Sequence, residues 1–209
     1  MKHKVIHAAD VIRKRWSGGI SSQYYIYPEG ADRSTGEYAF IVTSATVELE
    51  ESTFSDYTGF DRVIMSLTGA YDLIHNDQES HHLQPFEPHA FTGEEKTVSK
   101  GVYTDCNLIM KRGRCIGEMS SVLLAPGSSF CGPQGHTAGR RVIWTLLCCA
   151  GTFAFSEGGN GQSSTENGVQ ETIRAGEMLV LEDAAGGTSW RCENRSGEDC
   201  RIVLCRVQL

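Results

Sequence analysis

Four short clusters in this chain carry residue types able to bind or transform a small molecule. Trp16-Ser17-Gly18-Gly19 sets a large indole beside a flexible turn. Glycine lets backbone approach a ligand closely and an indole can wall a pocket, but the same residues also make a turn with Trp16 in the core. Phe54-Ser55-Asp56-Tyr57-Thr58-Gly59-Phe60-Asp61-Arg62 ends in an Asp-Arg pair at the entrance to an apolar run. Arg62 can offer a carboxylate two parallel N–H donors, or it can tie its turn to the sheet through Asp61. Glu87-Pro88-His89-Ala90-Phe91-Thr92-Gly93-Glu94 is the third cluster and Asp105-Cys106-Asn107-Leu108-Ile109-Met110-Lys111-Arg112-Gly113 the fourth. Strand alternation puts Asp105, Asn107 and Ile109 on one face, against Cys106, Leu108 and Met110 on the other. Asp and Asn are poor strand formers. Two on one face imply a polar interior or rim, unless Asp105 only completes a turn.

Metal chemistry finds little support in the spacing. No His-x-His occurs, His81 and His82 are adjacent and so face opposite ways, His75 and His89 stand alone, and His136 falls in a glycine-rich stretch. The expectation is no bound metal and no cofactor. The eight cysteines form no Cys-x-x-Cys pair. They fall in or beside apolar runs, where thiols behave as small hydrophobes. No phosphate-binding loop, nucleophile elbow or dinucleotide fingerprint is present, and Gly158, Gly159 and Gly161 are read as part of a hairpin loop over Ser156 to Gly168.

The elements that must position these clusters are strands. Period-two alternation marks Tyr24 to Tyr27, Tyr38 to Leu49, Arg62 to Leu67, Asn107 to Lys111, Ser120 to Leu124, Arg141 to Leu147, Met178 to Leu181 and Arg201 to Val207. Turn residues punctuate them at Pro28-Glu29-Gly30, Ala125-Pro126-Gly127 and Gly186-Gly187. Helical periodicity is confined to Ala8 to Arg15, with Asp10 near its start and basic residues at its end. The run Arg62-Val63-Ile64-Met65-Ser66-Leu67 also has an echo in Arg141-Val142-Ile143-Trp144-Thr145-Leu146, and each reaches a small-residue break before a second strand. A repeat of that length suits a small β-barrel better than a solenoid unit.

Composition narrows the function. At 209 residues, 40% of them hydrophobic, the chain can bury a real core. Its net charge of −7 and lack of a basic run argue against nucleic acid or an anionic membrane as partner. No apolar stretch reaches membrane-spanning or signal-peptide length, so a cytoplasmic location is expected.

Taken in order, Trp16-x-Gly18-Gly19, Ser44-Ala45, Phe54-Ser55, Gly59-x-Asp61-Arg62, Gly69, Glu87-Pro88-x-x-Phe91-x-Gly93 and Asp105-x-Asn107-Leu108-x-Met110-x-Arg112 resemble the HutD/Ves family. The match runs from about residue 16 to 113. The resemblance implies an all-β double cupin (bicupin, RmlC-like jelly roll) without a metal. Residues 1–209 would form one bicupin unit, with about 16–113 as the N-terminal barrel and about 114–209 as the second, strand exchange between halves being allowed. It also implies a regulatory or accessory role in histidine utilisation. The ligand would be a small anionic metabolite: urocanate, a formimino-amino acid or something formate-like. Trp16, Gly18, Gly19, Ser44, Arg62, Phe91, Asp105, Asn107 and Arg112 are the expected ligand-binding residues. The pattern departs at Val42, where relatives carry Arg just before the strand serine. A rival reading is a metal-independent cupin isomerase or hydrolase of a small acid, with His89 and Asp105 as base and acid. A scaffold with no ligand would instead have a filled barrel interior. The sequence names no catalytic residue and leaves a homodimer open.

Overall fold

The computed structural model describes residues 1–132, 141–158, 170–182 and 189–209. His136, Gly159, Gly161, Gly186 and Gly187, with most of the expected Ser156–Gly168 loop, lie outside the described residues. The chain forms two compact units, Asp10–Ser120 and Met1–Ala9 with Ser121–Leu209.

The strands are β1 (Lys2–Ile6), β2 (Ile12–Trp16), β3 (Gly19–Tyr27), β4 (Phe40–Val47), β5 (Glu51–Thr53), β6 (Phe60–Ser66), β7 (Tyr71–His75), β8 (Glu79–Leu83), β9 (Pro88–Thr92), β10 (Thr97–Lys100) and β11 (Tyr103–Lys111). They continue as β12 (Ile116–Leu124), β13 (Ser129–Cys131), β14 (Val142–Ala150), β15 (Thr152–Glu157), β16 (Gln170–Arg174), β17 (Met178–Glu182), β18 (Trp190–Glu193) and β19 (Cys200–Gln208). One unit holds a six-stranded sheet, β2-β3-β4-β11-β6-β9, and a four-stranded sheet, β5-β10-β7-β8. The other holds β1-β17-β14-β19-β12 and β13-β18-β15-β16. The protein is all-β with antiparallel pairing.

The strand order repeats. Advancing each label by eight turns β4-β11-β6-β9 into β12-β19-β14-β17, and β5-β10-β7-β8 into β13-β18-β15-β16. β2 and β3 extend one large sheet and β1 the other. The residue equivalence differs from the sequence echo, however. β9 and β17 have equal lengths, as do β10 and β18, and β11 and β19. Matching their ends and carrying the pairing across aligns Arg62 with Trp144, not with Arg141. Similar apolar runs slide easily against one another; inter-strand pairing does not.

Of the expected helix at Ala8 to Arg15, the first residues form a turn and those from Ile12 belong to the β2 strand, paired with β3 from Ile12↔Gln23 to Trp16↔Gly19. Pairing satisfies backbone groups that a helix this short would leave largely unsatisfied. Arg13, Lys14 and Arg15 charge this edge strand, which discourages pairing with another chain. The helical element among the described residues is a 3-10 turn, Arg33–Thr35, capped by Asp32. No helix among them is long and apolar enough to cross a membrane. All eight cysteines are thiols, six of them buried.

Candidate functional site

β11 is the central element of the site. It lies between β4 and β6, so its side chains on one face are enclosed by both neighbours. Asp105 pairs with Ala45 on β4 and Ser66 on β6, and Asn107 with Thr43 and Ile64. A cavity of about 290 Å³ opens over this face, lined by Asp105, Asn107 and Ile109 of β11, Thr43, Ala45 and Val47 of β4, and Arg62 of β6. Lys14, Trp16, Arg33, Phe54 and Tyr57 are among the residues of its rim and walls.

Arg62 is 6% exposed and anchors the cavity. Its guanidinium carbon lies 4.8 Å from the Phe91 ring centroid, 4.9 Å from Phe54 and 5.3 Å from Tyr57. Cation–π attraction from three aromatic rings holds it in place. Among the described residues the guanidinium makes one hydrogen bond, from Nη2 to Oδ1 of Asn107 at 2.9 Å. Its buried Nε–H has no acceptor among the described residues. A buried donor without a partner costs free energy, so an acceptor entering the cavity is favoured.

Asp105 is 2% exposed. Its Oδ1 accepts the Ala45 N–H at 2.9 Å. Desolvation pushes its carboxyl up to about 6, against the stabilising pull of that N–H, of Arg62 and of the Asn107 side chain. Asn107 accepts from Arg62, and its side chain also favours the charged form of Asp105. Desolvation lowers the Arg62 pKa, with Asp105 opposing, but a guanidinium stays charged at neutral pH.

The expected site residues divide. Trp16, Arg62, Asp105 and Asn107 meet in the cavity. Gly18 and Gly19 position Trp16 and are not in the lining. A Cβ at residue 18 would stand 2.1 Å from the Trp16 ring, and one at residue 19, where φ is +147°, 1.9 Å from Thr46 O. Ser44 and Val42 alternate with the lining residues Thr43 and Ala45, so they point to the opposite face of β4. Phe91 supports Arg62 without lining the cavity. Arg112 is exposed and clasps Asp61 Oδ1 at 3.0 Å and Glu94 Oε2 at 2.9 Å. Asp61 thus pairs with Arg112 rather than Arg62. The sequence reading missed Lys14, Arg33 and Thr43, and it placed Phe54 and Tyr57 in a candidate cluster without expecting them in the site. Lys14 was hidden by the helix expectation; Thr43 carried the alternation signal one residue from Ser44.

His75 and His89, expected to stand alone, converge with His81. One nitrogen each of His75, His81 and His89 lies within 4.8 Å of the others, outside the cavity lining. Burial lowers the pKa of His75 and His89, reinforced by neighbouring imidazoles and opposed by Glu95. Phe91 contacts this group too, 4.9 Å from the His75 ring. His89 and Asp105 do not share the cavity.

Solved structures share this architecture. The conserved protein of unknown function PA5104 from Pseudomonas aeruginosa PAO1 is 20% identical, with a TM-score of 0.77 over 100% of this chain and 98% of that one. HutD from Pseudomonas fluorescens SBW25, in a formate condition, is 18% identical with a TM-score of 0.70, covering 98% of each chain. Vicilin from hazelnut, Corylus avellana, is 7% identical with a TM-score of 0.69 over 97% of this chain and 86% of that one. Manganese-containing oxalate decarboxylase of Bacillus subtilis is a further neighbour at 6% identity and a TM-score of 0.65, over 97% and 76%. These likenesses show a cupin-like fold. No curated protein matches the chain. The HutD family model matches residues 8–200, and the chain belongs to that family.

Proposed function

We propose that the chain is a double cupin whose cavity over β11 binds a small carboxylate, and that it serves histidine utilisation in a regulatory or accessory role. The repeated eight-strand order supports the double-cupin reading, and family membership supports the pathway. The observation that carries the binding reading is Arg62, a buried guanidinium facing the cavity with an unused Nε–H. A carboxylate accepting from Nε and a terminal nitrogen would complete the fork. Lys14 and Arg33 add positive charge at the rim, against the carboxylate of Asp105 as the one acidic group among the described lining residues. The field is local, since the whole protein is acidic. The volume suits a small metabolite. Trp16, Phe54 and Tyr57 present flat walls, which favours a planar acid such as urocanate over a formimino-amino acid or formate.

A thermal-shift screen with urocanate, formiminoglutamate, histidine, glutamate and formate, followed by calorimetric titration, tests the reading. A carboxylate should raise the unfolding midpoint by mass action. Its affinity should fall at least about tenfold in Arg62→Lys, because an ammonium cannot reproduce the fork. No hit, or a folded Arg62→Lys protein binding like the wild type, would overturn it.

A second reading rests on Asp105. A buried carboxyl with a pKa near 6 in a cavity is suited to acid–base work on a small acid. Conversion of the bound compound, lost in Asp105→Asn while binding persists, would favour an enzyme.

A further inference from the structure

His75, His81 and His89 come from three different strands, β7, β8 and β9. β8 is an edge strand of the four-stranded sheet and β9 an edge strand of the six-stranded sheet. The tight connection between them, Gln84 to Glu87, brings His81 and His89 together, with ring centroids 4.4 Å apart and the rings tilted by 42°. On β8, alternation sends His81 to the same side as buried Leu83, while His82 turns outward to Asp72. His75 is buried and its Nε2 lies 3.0 Å from Nε2 of His89.

The hydrogen bonds fix which nitrogen of His75 is available. The Thr97 hydroxyl donates its only proton to the Glu95 carbonyl at 2.9 Å. It must then accept from His75 Nδ1, also at 2.9 Å. Glu95 Oε2 stands 3.5 Å from the same Nδ1. Nδ1 therefore keeps its proton and Nε2 presents a lone pair toward His89. A histidine that ligates through one nitrogen is ordinarily held by a hydrogen bond from the other, which sets its tautomer and orientation. That support is already in place here.

We propose that His75, His81 and His89 form a binding site for a divalent first-row transition metal of the zinc type, separate from the carboxylate cavity. Three imidazoles suit Zn²⁺, Co²⁺ or Ni²⁺ and not the hard cations Mg²⁺ and Ca²⁺. Zinc–nitrogen bonds near 2.0–2.1 Å put tetrahedral ligands roughly 3.3 Å apart. The donors lie within 4.8 Å of one another, so closure needs only small rotations of the half-buried His81 and His89. The metal replaces the proton now shared between the two Nε2 atoms, and His89 carries its proton on Nδ1 instead. Glu95 stays outside the ligand set, because its Oε1 is committed to the Thr92 N–H and hydroxyl.

The test uses chelator-stripped, untagged full-length protein titrated with Co²⁺ and then Zn²⁺. One Co²⁺ should bind with the visible absorption of a tetrahedral site and be displaced by Zn²⁺. His81→Gln and His89→Gln should each weaken binding at least about tenfold, the scale on which even outer-shell partners count. His82→Gln, on the outer face of the same strand, should leave affinity unchanged. In the wild type alone, Zn²⁺ should shift the imidazole NMR signals of these three among the seven histidines. Absence of binding, unchanged affinity in both ligand variants, an equal loss in His82→Gln, or shifts confined to other histidines would overturn the site.

Discussion

Replacing Asp105 by Asn should stabilise this protein above neutral pH, although it removes a buried charge next to an arginine. The magnitude follows from linkage. Burial lifts the Asp105 carboxyl from its ordinary 3.8 to about 6. Below 3.8 the group is protonated in both folded and unfolded chains and contributes nothing. Between 3.8 and 6 the unfolded chain loses the proton and the native state keeps it. The native state then binds more protons, so stability falls as pH rises. At about 1.4 kcal/mol per pKa unit, the full cost above pH 6 is roughly 3 kcal/mol. Asn keeps the shape and stays neutral, so it imitates the protonated acid. Denaturant unfolding of both proteins from pH 4.5 to 7.5 is the assay. Taking the difference cancels every other titrating group. The variant should gain roughly 2 kcal/mol on the wild type across that window, since about one third of the cost is already present at pH 4.5. A pH-independent difference would refute the reasoning. So would a variant that loses ground as pH rises, which would mean that Arg62 and Asn107 outweigh desolvation.

An anionic ligand should bind more tightly at pH 5 than at pH 7.5, because protonation of Asp105 removes the negative charge in the cavity; calorimetry that shows no such rise, after correction for the ligand's own titration, counts against the cavity as the site. Gly19→Ala should cost roughly 2–5 kcal/mol in denaturant unfolding, since the new Cβ meets the Thr46 carbonyl and the positive φ is unfavourable for alanine. Trp144 and Trp190 are buried whereas Trp16 is 36% exposed at the cavity, so Trp16→Phe should abolish the fluorescence change on ligand binding.

Most strands of the two large sheets, and their faces, were legible in the sequence because period-two alternation is a local property; the short strands of the two small sheets were less so. Asp105, Asn107 and Ile109 could be placed on one side from their own spacing, and they line the cavity together. Positions set by pairing were not legible. Whether Thr43 or Ser44 faces the cavity depends on a single-residue register. β2 has no strong strand alternation of its own and takes its conformation from β3. The convergence of His75, His81 and His89 is fixed by the meeting of two sheet edges, which no spacing rule for a single strand can express. Phe91 illustrates the same limit: its place in the motif was visible, but its role in supporting Arg62 was not.

The internal repeat gives the cavity its strongest physical context. Under the pairing-derived equivalence, Arg62 corresponds to Trp144, Asp105 to Ile202 and Asn107 to Leu204. The three apolar counterparts all belong to the buried core of their unit, with Phe153, Phe155 and Trp190. The same strand order can therefore close over a fully apolar interior, and the fold itself does not require an arginine, an aspartate and an asparagine at these positions. Burying such groups costs several kcal/mol unless they are paired, and replacing them by hydrophobes of similar volume is often neutral or stabilising. One unit has the apolar solution. The other keeps the polar triad, leaves Arg62 Nε without an acceptor and holds Asp105 well above the usual carboxylate range. A cost borne in one copy and avoided in the other is what a binding site predicts and a filled scaffold does not.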